Sequence, residues 1–221
     1  FVDKIAPAHG VTVSLAGFKA RYSRLQDKTQ FVDYSTRELQ SALTPGAVLR
    51  VLREGNRRFR SGERLSRNLL QQINGTAEGQ APIAVLLSCI DSRAPAELIF
   101  DLGIGDILSV RVGGNIAKGT ELGSIEFACV EAGAKLIVVL GHTRCGAVTA
   151  AVDAYGASQT QATGDKKGCQ HVHKLLDEIQ KSIGLDDEIP PKQDAEGRRE
   201  YVESVVLRNV QRSMGRIREK S

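Results

Sequence analysis

Two short stretches concentrate the groups that could do chemistry. The first, SCIDSRAP at 88–95, sets a thiol, a carboxylate and a guanidinium at Cys89, Asp91 and Arg93. The second, GHTRCGA at 141–147, adds an imidazole at His142 and another thiol at Cys145. Two thiols and an imidazole form a donor set that Zn2+ favours, with Zn–S near ~2.3 Å and Zn–N near ~2.0–2.1 Å. A structural zinc site would add a fourth Cys or His, and none stands nearby in the sequence. The fourth position is therefore open or taken by a weaker ligand, which reads as catalytic. Asp91, two residues past Cys89, can reach that position or a water there. Arg93 presents a planar fork that pairs with a carboxylate through two parallel hydrogen bonds and keeps it ionised. An ionised carboxylate only accepts hydrogen bonds. It would orient a hydroxide for attack on an electrophile, and zinc lowers the pKa of its water towards ~7 from ~15.7. Two thiolates donate more charge than imidazoles, so a smaller depression is expected here.

These groups meet only if the elements before them are neighbours. Three short apolar runs, at 83–89, 106–112 and 135–142, are rich in β-branched residues and read as strands. Helical patterns at 94–103 and 121–134 separate them, and another follows at 145–155. Near-continuous apolar strands alternating with helices predict an α/β fold, a mostly parallel sheet flanked by helices. In such sheets sites collect at the carboxyl ends of strands, where Cys89 and the His142–Cys145 pair both fall. Further helices are expected at 171–183 and 198–219, after a soft loop at 156–168.

Upstream, LTPGAVLRVLREGNRRFRSG predicts a helical arm with Pro45 in its first turn, Val48, Leu49 and Leu52 on one stripe, and Gly62 as its stop. Before it, Val11, Val13 and Leu15 alternate in a short strand at 9–18, followed by a polar linker. We place a boundary near residue 40, with a terminal segment over 1–40 and the catalytic domain over 41–221. The chain starts mid-pattern at Phe1, which suggests a piece of something longer.

Composition narrows the class. A chain of 221 residues, 41% hydrophobic and 25% charged, buries one full core. The net charge of +4 is mild, and the basic stretches carry no interleaved aromatics, so solvated helix faces are expected rather than a nucleic-acid surface. No apolar run approaches the ~20 residues that cross a bilayer. Four cysteines and no recognisable signal peptide point to a reducing, cytoplasmic setting. Cys129 reads as core filler. Cys169, His171 and His173, in GCQHVHK, lack further partners and read as a helix start with surface histidines.

The paired motifs Cys-x-Asp-x-Arg and His-x-x-Cys, with GDILSVRVGGNI and GSIEFACVEAGAKLIVVLGH, resemble the β-class carbonic anhydrases. The resemblance implies reversible hydration of CO2 to bicarbonate and a proton, one Zn2+ per chain on Cys89, His142 and Cys145, and a catalytic pair of Asp91 and Arg93. It implies bicarbonate binding by Gln80 across a homodimer or higher even oligomer, and a backbone contact from Gly146. Leu108 and Gly113 would line the cleft. Phe127 stands where a Tyr is common. Some members switch off when the aspartate takes the fourth metal position, so Asp91 is a candidate ligand of an inactive state. Several of those members use a tryptophan-containing pocket, and this chain has no tryptophan.

A second resemblance, in ELQSALTPGAVLRVLREGNRRFRSG and LSCIDSRAPAELIFDLG, is to carbonic anhydrase domains fused behind SulP-type anion transporters. There residues 1–40 would include the end of a STAS-like segment. The rival readings are hydrolysis of carbonyl sulfide or carbon disulfide on the same scaffold, an idle regulatory module of a transporter, and a metal-free thiol transferase using Cys145.

Overall fold

The computed structural model describes residues 34–159 and 169–221. The strand at 9–18, most of the linker after it and most of the 156–168 loop lie outside the described residues. The elements in order are α1 (Arg37–Ala42), α2 (Pro45–Ser61), α3 (Leu69–Gly75), β1 (Ala84–Ser88), α4 (Ala96–Ile99), β2 (Ile107–Arg111), a 3-10 turn (Gly113–Asn115), α5 (Gly119–Val130), β3 (Ile137–Leu140), α6 (Gly146–Gln159), α7 (Gln170–Gln180) and α8 (Ala195–Lys220).

The strands form one sheet in the order β2-β1-β3. Ile83 donates its N–H to Asp106 O before the strands, and Val112 donates to Ser88 O after them, so β1 and β2 run parallel. Lys135 to Ile83 O and Val85 to Leu136 O give β3 the same sense. All five residues of β1 are buried, as a central parallel strand covered on both faces requires.

The chain divides into two compact units, and each is described by itself. The first holds residues up to 85 with 95–108 and 127–137. In it α2 begins and ends as its sequence predicts. Thr44 caps it by accepting from Ala47 N–H, Pro45 sits in its first turn, and Gly62 closes it at φ 76°. Val48 and Leu52 are buried and Leu49 is half-buried. Two short helices were not foreseen, α1 capped by Thr36 and α3 capped by Asn68. The helix expected over 94–103 shrinks to the four residues of α4. The reason is Asp101, fully buried at φ 47°, whose carboxylate accepts from Arg58 Nε and Arg67 Nη1 at 2.6 Å each. A buried charge must be paired and hydrogen-bonded, and the backbone leaves the helix to meet those arginines.

The second unit holds 86–94, 109–126 and 138–221. Its core joins Val148, Ala151 and Val152 of α6 to Ile179 of α7 and to Val202, Val205 and Val206 of α8, with Cys89 and Cys145 in the same cluster. On α7, the buried Glu178 carboxylate meets Lys181 at 2.8 Å, Lys118 at 3.1 Å, Arg212 at 3.5 Å and Arg216. Among the described residues no helix is long and apolar enough to cross a membrane.

Candidate metal centre

The site lies within the second unit, where β1 and β3 end. Cys89 directly follows β1, and the chain then turns through Asp91 and Arg93. After β3, Gly141 passes close to α8, since a Cβ there would sit 2.7 Å from Val210 Cγ2. His142 follows, and Cys145 immediately precedes α6. Both thiols are buried, and their sulfurs are 3.9 Å apart. One ligand atom from each of Cys89, His142 and Cys145 lies within 4.8 Å of the others. Tetrahedral zinc with ~2.3 Å bonds separates two sulfurs by roughly 3.8 Å, so the observed spacing suits that ion.

The imidazole decides the fit. His142 Nδ1 lies 3.0 Å from Thr143 O, so it carries the proton and donates. Nε2 is left as the acceptor, buried and without a hydrogen-bond partner. A buried polar atom left unmatched is costly, and fixing Nδ1–H on a carbonyl is how ligating histidines are held in one tautomer. The thiols fit too. The Cys145 S–H donates to Cys89 and pulls the Cys89 thiol far below its ordinary value. The resulting thiolate, with burial, pushes Cys145 up. A divalent cation bound there would supply the positive charge that lets both sulfurs ionise together.

Asp91 stands beside the cluster. Its Oδ1 accepts from Arg93 Nε and from the Arg93 backbone N–H, both at 2.9 Å, and its Oδ2 accepts from Arg93 Nη2 at 2.7 Å. The Arg93 bonds hold its carboxyl well below the usual carboxylate range. Oδ2 is 3.9 Å from His142 Nε2. Arg93 also donates to Arg144 O at 3.2 Å, and Arg144 adopts φ 54° to present it.

Arg111, which the motifs did not single out, donates to Cys89 O at 3.1 Å and to Asp91 O at 2.6 Å. It clamps the turn that carries two of the site residues. Its one sequence signal is an arginine at the end of an otherwise apolar strand. Gln80 is exposed in the segment before β1, and Gly146 is exposed at the start of α6 with open space where a Cβ would be. Leu108 is half-buried, Gly113 buried and Phe127 exposed. Cys129 is half-buried in α5, where burial pushes its thiol up. Cys169, His171 and His173 are all exposed, and among the described residues Cys89, His142 and Cys145 form the one such group of potential metal ligands.

A family model described as carbonic anhydrase matches residues 84–221, a span that includes the whole cluster. The chain belongs to the carbonic anhydrase family. Carbonic anhydrase 2 of Mycobacterium tuberculosis is 46% identical over 113 residues, which cover 50% of this chain and 54% of that protein. The chain thus spans about half the length of the curated carbonic anhydrases it matches. Its fold is that of the β-class. The β-carbonic anhydrase CcaA superposes with a TM-score of 0.52 at 26% identity, covering 77% of this chain and 73% of that one. A tetrameric β-carbonic anhydrase from Sordaria macrospora gives 0.51 at 23% identity, covering 67% and 70%.

Proposed function

We propose that the chain catalyses the reversible hydration of CO2 to bicarbonate and a proton, with one Zn2+ held by Cys89 Sγ, His142 Nε2 and Cys145 Sγ. The observation that carries this reading is the partnerless, buried Nε2 of His142 facing two sulfurs, with an ionised Asp91 alongside. Bound there, zinc supplies the Lewis acidity that makes water a nucleophile near neutral pH.

The chain's own residues do the rest. Thr143 O fixes the His142 tautomer. Asp91, kept ionised by Arg93, acts only as an acceptor. A carboxylate offers about four acceptor positions; Arg93 takes three, two on Oδ1 and one on Oδ2. The remaining Oδ2 position orients the attacking water by accepting its O–H, so that a lone pair faces the CO2 carbon. Arg93 and Arg111 hold Asp91 at its side chain and at its backbone. A cleft of about 550 Å³, bordered by Arg93, His142, Arg144, Arg199 and Glu203, opens beside the site. Its excess of arginines suits the bicarbonate anion that leaves.

In the same reading Gln80 binds bicarbonate across a homodimer, Gly146 offers a backbone contact, and Asp91 can swing from Arg93 to the fourth metal position in an inactive state. Apolar side chains exposed on α3 (Leu69, Leu70, Ile73) and on α5 (Phe127, Val130) support burial against another copy. The chain would work in the cytoplasm, beside an anion-transport path that takes or supplies bicarbonate.

Stopped-flow CO2 hydration, with metal analysis on the same samples, tests the assignment. Wild type is expected to carry one zinc per chain. Asp91→Asn is expected to keep the metal and lose about two orders of magnitude in rate, the usual worth of a positioned proton acceptor. An unchanged rate removes Asp91 from the mechanism. Metal-free, inactive wild type removes the reading.

A further inference from the structure

Hydration of CO2 releases one proton for each bicarbonate, and the residues at the metal centre are poorly placed to carry it away. The Asp91 carboxylate is committed to three bonds from Arg93. His142 gives its Nδ1–H to Thr143 O and turns Nε2 toward the sulfurs. The arginines that border the cleft stay protonated throughout.

Glu203 borders the same cleft of about 550 Å³ as His142, and it is half-buried on α8. The other charged or titratable groups there are Arg93 from the turn after β1, His142 and Arg144 from the loop after β3, and Arg199 one turn earlier on α8. Arg199 does not neutralise Glu203, because its guanidinium turns back to Glu196 at 3.0 Å. The Glu203 carboxylate makes no hydrogen bond or ion pair among the described residues. A carboxylate locked in an ion pair loses proton affinity, whereas an unpaired one can take a proton and yield it again. With His142 committed, Glu203 is the one side chain bordering the cleft that can do so. The cleft has room for several waters between the two.

We propose that Glu203 is the proton relay of the hydration reaction. An O–H bond of water breaks, and its electron pair stays on the oxygen that adds to the CO2 carbon. The proton passes through cleft water to a Glu203 carboxylate oxygen, and from there to a buffer base in bulk solvent. Helix α8 carries four glutamates, and only folding shows that this one turns to the cleft.

The proposal rests on the hydration reading above, and the test separates the two. Stopped-flow hydration is measured in dilute and in concentrated imidazole buffer, with zinc content and melting temperature on the same samples. Wild type that holds no zinc or hydrates no CO2 defeats the hydration reading itself. Given activity, Glu203→Gln is expected to lose about a hundredfold in kcat in dilute buffer, the lower end for a positioned proton carrier. Concentrated imidazole should restore it by taking protons from the cleft directly. Its kcat/KM should match wild type, because the relay resets the site after CO2 has been converted. Zinc content and melting temperature should also match. Glu200→Gln, the same change at an exposed position of the same helix, should keep the wild-type kcat. An unchanged kcat in Glu203→Gln, a loss that imidazole does not restore, a fall in zinc content, or an equal loss in Glu200→Gln overturns the proposal. In dilute buffer Glu203→His should outpace Glu203→Gln above about pH 6.5, where an imidazole ring is neutral and accepts protons, and merge with it below. Two coincident profiles overturn the proposal equally.

Discussion

Arg93 reaches Asp91 with Nε at 2.9 Å and Nη2 at 2.7 Å, a side-on fork that lysine cannot copy. The fork also restrains Asp91 from the sulfurs, because its Oδ2 is already 3.9 Å from His142 Nε2. Arg93→Lys should therefore release the carboxylate into the fourth metal position. We expect hydration to fall by about two orders of magnitude, with zinc retained, the carboxylate oxygen standing in for that of water, and a carboxylate carbon appearing beyond the first shell in the metal's X-ray absorption spectrum. An unchanged spectrum would mean that something other than the fork keeps Asp91 free. At this scale the sequence was informative where chemistry is compressed into a motif. Cys89, Asp91 and Arg93 share five positions, and His142 and Cys145 share four. Arg111 was not legible, because one polar residue in a strand looks like any other until its partner is known.

Elements were readable where burial imposes a pattern. β1 is apolar from Ala84 to Leu87 because neighbouring strands and layers cover it, and Pro45 and Gly62 mark the ends of α2 for reasons of backbone geometry. The pattern misled at 94–103, where the apolar spacing is helical but Asp101 leaves the helix to meet two arginines, a cause that lies outside the segment. The same contrast between local preference and packing predicts opposite outcomes for two glycines inside helices. In α8, Gly215 has nothing within 4 Å of an added Cβ. Gly215→Ala should stabilise the fold by about 0.5–1 kcal/mol, the backbone entropy saved. In α2, a Cβ on Gly55 would lie 1.7 Å from Phe100 O. The helix preference is again worth ~1 kcal/mol, but the backbone of the adjacent segment must move, and overpacking costs about 1–3 kcal/mol or more. Gly55→Ala should lose stability. Thermal melts of the two variants check both signs, and a gain at Gly55 would show that the α2–α4 contact yields easily.

At the scale of the whole molecule, the formal charge is +4, and several of its cations gather at Glu178. Four cations from the segment before α5, the end of α7 and α8 converge on this one carboxylate, which is 3% exposed. Burial alone would raise its pKa. The bonds from Lys181 and Lys118 and the charges of Lys181 and Arg216 outweigh it and bring the group from 4.5 down to about 2. The folded value lies below the unfolded one, so the unfolded chain binds more protons between those limits. The stabilisation is complete above about pH 4.5 and drains away as pH falls towards 2. At neutral pH it is worth on the order of 3 kcal/mol. Glu178→Gln removes this charge and leaves the cations facing one another. Its urea midpoint should fall well below wild type at pH 7, recover partly in added salt as the repulsion is screened, and converge with wild type as pH approaches 2. A gap that stayed constant with pH would assign the effect to shape and hydrogen bonding instead, and the cations on α7 and α8 would then have no electrostatic part in holding those helices together.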